Sequence, residues 1–272
     1  MTGRDPIAPE GKRPLLELVG ISKSFRRSGG SIVKAVSDVS LTIGYGETVA
    51  LVGESGSGKS TLGRIALCLI TPDRGTVHLA GECLTSLTRR QLRVARTRMQ
   101  PIFQDPAASF NPRRTVAELL GQALRRLDGA DRERQAIDVL ERVGLKPGRA
   151  YLPRFPHELS GGQRQRLAIA RAIAMDPILI IADEPLSGAD VSIRGQILNL
   201  LDDLQAERGV AYLMITHDIS VARSFASRVA VMMQGEIVET GPAEAVLTAP
   251  IHPYTRRLIA AVPAVPSFAA GA

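Results

Sequence analysis

Gly53-Glu54-Ser55-Gly56-Ser57-Gly58-Lys59-Ser60 meets every fixed position of the pattern GxxxxGK[ST]. Such a loop works only where a strand ends and a helix begins, so it dictates the fold on either side of it. Thr48 to Val52 supplies an apolar strand, and Ser60 to about Ile70 reads as the helix. The glycines let the backbone wrap an anion, successive N–H groups point inward, and the helix N-terminus adds partial positive charge. In this pattern Lys59 reaches the β- and γ-phosphates of a nucleotide and Ser60 binds Mg²⁺. Gly53, Glu54, Ser55, Gly56, Ser57, Gly58, Lys59, Ser60 and Thr61 are therefore candidate nucleotide contacts.

Two more stretches carry chemistry. Ile178 to Ala182 is a continuous apolar strand that delivers Asp183 and Glu184 at its C-terminal end, where sites in α/β folds lie. Asp183 can hold the Mg²⁺ shell, and Glu184 can act as general base on an attacking water. Leu159-Ser160-Gly161-Gly162-Gln163 opens another helical run. A serine, two glycines and a helix start make either an ordinary N-cap or a second backbone cup for phosphate. One chain folding alone has no need of two such cups. The cup of Ser160, Gly161, Gly162 and Gln163 is therefore expected to cover a nucleotide held by another subunit. Gln104 lies between the two loops. His217 follows the strand after the acid pair, which puts it near the γ-phosphate.

The rest of the chain reads as α/β. Leu16 and Leu18 alternate with polar neighbours, as do Val39, Leu41 and Ile43. Gly44-Tyr45-Gly46 then turns into Thr48 to Val52, which reads as an antiparallel hairpin. From about Thr88 to Gly148 the pattern is helical, broken by Pro101, Pro106 and Pro112. Ile197, Leu200, Leu201 and Leu204 form a helix face that ends near Gly209. Val210 to Ile215 is a second buried strand, and Val229 to Val238 folds back through Gln234-Gly235 as a closing hairpin. Alternating strands and helices imply a mostly parallel sheet with helices on its faces.

Composition narrows the setting. With 272 residues, 44% of them hydrophobic, the chain can bury a real core. No stretch approaches the roughly 20 apolar residues that cross a bilayer, and the polar start does not read as a signal peptide. Cys68 and Cys83 stand apart from any metal-ligand spacing and read as buried thiols in a reducing compartment. The net charge of +7 suits nucleic acid, an anionic membrane surface, or simply arginine-rich solvated helix faces. The run Arg89, Arg90, Arg93, Arg96, Arg98 reads as a solvated face near a membrane rather than a nucleic-acid patch.

The order of the loop at Gly53–Ser60, Gln104, Leu159 to Gln163, Asp183-Glu184 and His217 resembles the ATP-binding subunits of ABC transporters, over roughly Leu16 to Pro250. The Leu-Ser-Gly-Gly-Gln element is the specific part. The resemblance implies a P-loop NTPase core with a mostly parallel sheet, an N-terminal antiparallel β subdomain and an inserted helical subdomain. It divides the chain into a flexible start at 1–14, an ATPase domain at 15–248 with the helical subdomain at about 88–165, and a C-terminal extension at 249–272. It implies ATP and Mg²⁺ as ligands and ATP hydrolysis as the activity. Glu184, His217 and Gln104 are the implied catalytic residues, Ser60, Gln104 and Asp183 the implied metal contacts, and Phe25 the aromatic that stacks on adenine. Against the usual Ser-Ala-Leu-Asp, the chain has Ser187-Gly188-Ala189-Asp190, at a loop that lies on the family's dimer interface.

Phe103-Gln104-Asp105-Pro106, Ser109 to Arg113, Phe155 to Glu158 and His252-Pro253-Tyr254-Thr255 resemble the oligopeptide, dipeptide and nickel importer branch. That branch implies a second ATPase or a second copy, two transmembrane permeases and an extracytoplasmic solute-binding protein, at the cytoplasmic face of the inner membrane. It implies peptides as the solute, with nickel chelates, glutathione or other small solutes as the alternative; an exporter motor would share the catalytic residues, and these segments are what argue against it. A DNA-organising or ribosomal ATPase would need long coiled coils or a second cassette, and the chain shows neither.

Overall fold

The computed structural model describes residues 13–26, 30–105, 109–187 and 191–261. Pro106, positions 188–190 of the altered interface loop and most of the segment at 1–14 lie outside them, as do 262–272 of the extension.

Two sheets share the chain. The smaller has four antiparallel strands in the order β2 (Ile32–Ile43), β1 (Leu16–Arg26), β4 (Arg74–Leu79), β5 (Glu82–Cys83). The larger has six, in the order β10 (Glu236–Pro242), β9 (Arg228–Met233), β3 (Thr48–Val52), β8 (Ala211–Thr216), β7 (Leu179–Asp183), β6 (Met99–Ile102). All its pairs are parallel except β10 with β9. β3, β7 and β8 are buried at every residue, which is why they read as unbroken apolar runs.

The large sheet has helices on both faces. Val49, Leu51, Ile181 and Leu213 meet α1 (Lys59–Ala66) and the small sheet in one core. On the other face Ile180, Ala182 and Met214 join a core with α5 (Gly161–Ile173) and α6 (Val191–Arg208). That core continues into α3 (Val116–Ala123) and α4 (Gly129–Arg142). Thr115 caps α3 in a box with Glu118, satisfying backbone groups that a helix start leaves open. Further along the same face, Ala50, Val52, Val229 and Val231 meet α7 (Ile219–Phe225), α8 (Ala243–Thr248) and Tyr254 of α9 (Pro253–Ala260).

Several expectations change. The turn at Gly44-Tyr45-Gly46 does not close a hairpin, because β2 pairs with β1 and β3 pairs with β8 and β9. It carries the chain from one sheet to the other. The stretch from Thr88 is not helical throughout: after α2 (Arg89–Ala95) comes β6, which adds the outermost strand of the large sheet, and Pro101 is tolerated there at the edge. The arginine run is only partly a solvated face, since Arg96 donates to the carbonyls of Leu67 and Cys68. Cys68 and Cys83 are half-buried rather than buried. The closing hairpin forms as read, with Gln234 at φ 48° and Gly235 at φ 90° turning β9 into β10. α6 ends at Gly209, at φ 65°. Among the described residues no helix is long and apolar enough to cross a membrane.

Candidate functional site

The C-terminal ends of β3, β6, β7 and β8 lie side by side, because Val52 pairs with Thr216, Asp183 with Ile215, and Ile102 with Ala182. Whatever follows these strands is gathered at one edge of the sheet. The loop Gly53–Ser60 follows β3 and is wedged between neighbours. A Cβ on Gly53, at φ 155°, would lie 2.2 Å from the Met232 carbonyl oxygen, and one on Gly58, at φ 108°, would lie 2.2 Å from that of Ala35. Both positions therefore require glycine. The loop is also bonded in place: the Gly235 N–H donates to the Ser57 carbonyl at 2.9 Å.

Glu54, Ser55 and Gly56 are exposed, Ser57 and Lys59 are buried, and Gly58, Ser60 and Thr61 are half-buried at the start of α1. The Lys59 Nζ donates to the carbonyls of Gly53 at 2.7 Å and Glu54 at 2.8 Å. Burial holds the Lys59 pKa below the ordinary lysine value, against the opposing pull of Glu184, Asp183 and Glu54.

Ser60 Oγ donates to Asp183 Oδ1 at 2.9 Å, which ties the loop to the end of β7. Burial raises the Asp183 carboxyl above its usual range, resisted by the Ser60 hydrogen bond and by Arg64 and Lys59. A serine hydroxyl and a carboxylate side by side are the kind of hard oxygen donors that a divalent cation such as Mg²⁺ prefers.

Glu184 has φ 52°, uncommon for a residue with a side chain, and its N–H donates to the Ile215 carbonyl at 2.9 Å. The turn swings its carboxylate toward β8. There Glu184 Oε1 accepts the His217 N–H at 3.1 Å and lies 2.8 Å from His217 Nδ1. A carboxylate accepts, so Nδ1 is the donating nitrogen in this contact. The Glu184 side chain is 14% exposed and that of His217 is 66% exposed. Gln104 lies two residues beyond Ile102, level with Glu184 by the register of β6 on β7, and is exposed.

Two groups of candidates stand outside this hydrogen-bonded cluster. Phe25 is 40% exposed near the end of β1, so it is not a core phenylalanine. It pairs with Val33, two residues along β2 from the Ala35 that abuts Gly58. Ser160 caps α5 in a box with Gln163: the Gln163 N–H reaches Ser160 Oγ at 3.3 Å, and the Ser160 N–H reaches Gln163 Oε1 at 3.0 Å. Gln163 Nε2 also reaches the Tyr151 hydroxyl at 3.4 Å. Among the described residues these two side chains make no hydrogen bond to the loop at Gly53–Ser60. Ser160 and Gly161 are exposed, and a Cβ on Gly161 would meet nothing within 4 Å.

Sequence reasoning missed two residues that shape the site. Gln165 is buried on α5 and donates to the Pro185 carbonyl at 2.5 Å, fixing the turn after Glu184. A glutamine on the buried stripe with Ile169 and Ala172 was the available signal. Tyr254 gives its hydroxyl oxygen to the Glu54 N–H at 2.9 Å, across 200 residues of chain, and no local pattern announces that contact.

The chain resembles known proteins in both sequence and fold. Residues 36–187 match the family model described as ABC transporter, and residues 238–268 match that of the oligopeptide/dipeptide transporter C-terminal region. The chain is 46% identical over 258 residues to a "probable peptide ABC transporter ATP-binding protein" of Sinorhizobium fredii, covering 92% of this chain and 72% of that one. It is 45% identical over 258 residues to an oligopeptide transport ATP-binding protein of Streptococcus mutans, covering 93% and 83%. It is 52% identical over 234 residues to a glutathione import ATP-binding protein of Escherichia coli, covering 85% of this chain but only 37% of that longer one. Among solved structures, a dimeric ATP-binding cassette in a post-hydrolysis state with ADP and Pi superposes at TM-score 0.77 and 32% identity, over 84% of this chain and 98% of that one. A protein of Clostridium perfringens that is part of an ABC transporter complex superposes at TM-score 0.74 and 26% identity, over 87% and 91%.

Proposed function

The chain belongs to the ABC transporter family of ATPases, and on that premise we propose that it is the motor subunit of an importer whose solute is a peptide. The observation that carries the solute class is the match of residues 238–268 to the oligopeptide/dipeptide transporter C-terminal region. The relatives' names point the same way, and glutathione is itself a short peptide. The motor works at the cytoplasmic face of the membrane with two permeases, a second cassette and an extracytoplasmic solute-binding protein. In this reading residues 1–14 and 249–272 flank an ATPase domain at 15–248.

ATP sits on the loop Gly53–Thr61, with Lys59 exchanging its carbonyl partners for phosphate oxygens and Phe25 against adenine. Ser60, Asp183 and Gln104 would hold Mg²⁺, which when bound would neutralise phosphate charge. Glu184 orients and deprotonates the water that attacks the γ-phosphorus, and His217 contacts the γ-phosphate. The hydrogen bonds from His217 to Glu184 support this assignment, since they fix the carboxylate's direction. Ser160, Gly161, Gly162 and Gln163 cap the partner's nucleotide. ATP thus favours the closed pair by contacts that exist only when the pair is closed.

The test is reconstitution. The chain is purified in mild detergent with its membrane partners and placed in vesicles, and uptake of a labelled peptide is followed with ATP supplied on the cassette side. Peptide-stimulated hydrolysis and ATP-driven uptake are expected. Hydrolysis stimulated by a nickel chelate and indifferent to peptides would move the solute class, and transport in the opposite direction would remove the importer reading.

A further inference from the structure

The C-terminal helix is pinned onto the nucleotide loop rather than hung from the domain. Glu239, on β10, accepts the N–H groups of Ile251 at 2.8 Å and His252 at 3.0 Å. His252 then caps α9, with its Nδ1 accepting the Tyr254 N–H at 3.2 Å. This clamp fixes where α9 starts. As the second residue of α9, Tyr254 is 3% exposed, its ring in the core with Ala50 and Val52 of the strand that feeds the loop. Its hydroxyl is aimed outward at the Glu54 N–H, 2.9 Å away.

The Glu54 residue is held at both ends. Its N–H goes to Tyr254 and its carbonyl receives Lys59 Nζ at 2.8 Å. A Lys59 that turns to phosphate gives up carbonyl contacts here, and the Tyr254 bond then remains to keep the first turn of the loop in place. We propose that Tyr254 is a positioning residue for nucleotide binding: through the Glu54 N–H it presets the loop Gly53–Ser60, so that the C-terminal extension sets ATP affinity. This rests on the reading of Gly53–Ser60 as the nucleotide cradle.

Tyr254→Phe removes one oxygen and keeps the ring in its core. ATP affinity of the full-length chain is measured by calorimetry, and exchange of the Glu54 amide by NMR. One lost hydrogen bond to a loop that must stay ordered predicts a Kd about three- to tenfold higher. The Glu54 amide should exchange faster, and Tm should stay within about 2 °C. Glu239→Ala, which frees the Ile251 and His252 amides, should raise Kd in the same direction. An unchanged Kd in Tyr254→Phe overturns the proposal, whether or not Tm falls, because the tyrosine is then packing alone. A higher Kd with unchanged Glu54 exchange also overturns it, because the effect then bypasses that amide. Lys59→Ala separates the underlying reading: ATP binding that survives it removes the cradle assignment itself, whatever Tyr254→Phe does.

Discussion

A shared site between two cassettes makes a prediction that a self-contained ATPase does not. The cleanest perturbation is Gly161→Asp. Gly161 is the first residue of α5, and a side chain there meets nothing of its own chain within 4 Å. Gly162 is a poorer choice, because its Cβ would lie 2.9 Å from Ile193 Cδ1 and damage could arise inside the chain. An acid in the first turn is favourable to a helix, and replacing glycine improves helix propensity, so the fold should lose nothing. Against a partner's γ-phosphate the same acid is a like charge at contact. Two unit charges 4 Å apart at an effective dielectric of about 20 repel by about 4 kcal/mol. At about 1.4 kcal/mol per factor of ten, and with some screening left at the rim of the interface, closure should weaken on the order of 10²- to 10³-fold. The assay has two arms. Calorimetry on the isolated chain should give an unaltered ATP Kd. Sedimentation with the partner cassette, or with a second copy, should show that ATP no longer drives association. Intact ATP-driven association would refute the shared site. A weakened Kd in the isolated chain would place the cup at the chain's own nucleotide instead.

Three shorter predictions follow from the same geometry. Glu184→Gln should keep ATP binding, lower hydrolysis in the assembled transporter about 10²–10⁴-fold and accumulate the closed pair; near-normal turnover would remove Glu184 from the role of base. Phe25→Ala should weaken ATP binding by on the order of 1–3 kcal/mol while leaving tripolyphosphate affinity alone, and equal losses for both ligands would point to a folding defect. Burial pushes the Cys68 thiol up to about 11, whereas the Thr85 hydroxyl beside Cys83 lowers that thiol below its usual value. At pH 8 iodoacetamide should therefore label Cys83 well before Cys68, as peptide mass spectrometry can follow, and the reverse order would contradict the burial argument.

What could be read in advance, and what could not, divides along a physical line. The loop Gly53–Ser60 was legible because its chemistry is local: glycines at fixed offsets, a feeding strand and a helix start lie within a dozen residues. The strands β3, β7 and β8 were legible because burial on both faces leaves an apolar run with no alternation to misread. β6 was not, because an edge strand of four residues containing Pro101 carries no period and sits in an Arg- and Leu-rich stretch that reads as helix. The turn at Gly44-Tyr45-Gly46 was seen, but a turn does not name the strand's partner. β3 pairs with strands that lie more than 150 residues away, and only the assembled sheet decides that. The site repeats the division. Asp183 and Glu184 announce themselves at a strand end, yet their use depends on the positive φ of Glu184 and on His217 reaching back from the next strand. Tyr254 is the extreme case. Nothing within ten residues of it, or of Glu54, requires that they meet, and the bond exists because β10 folds back, Glu239 clamps the chain and α9 starts where it does. A residue whose placement depends on three such contacts can be found only from the fold.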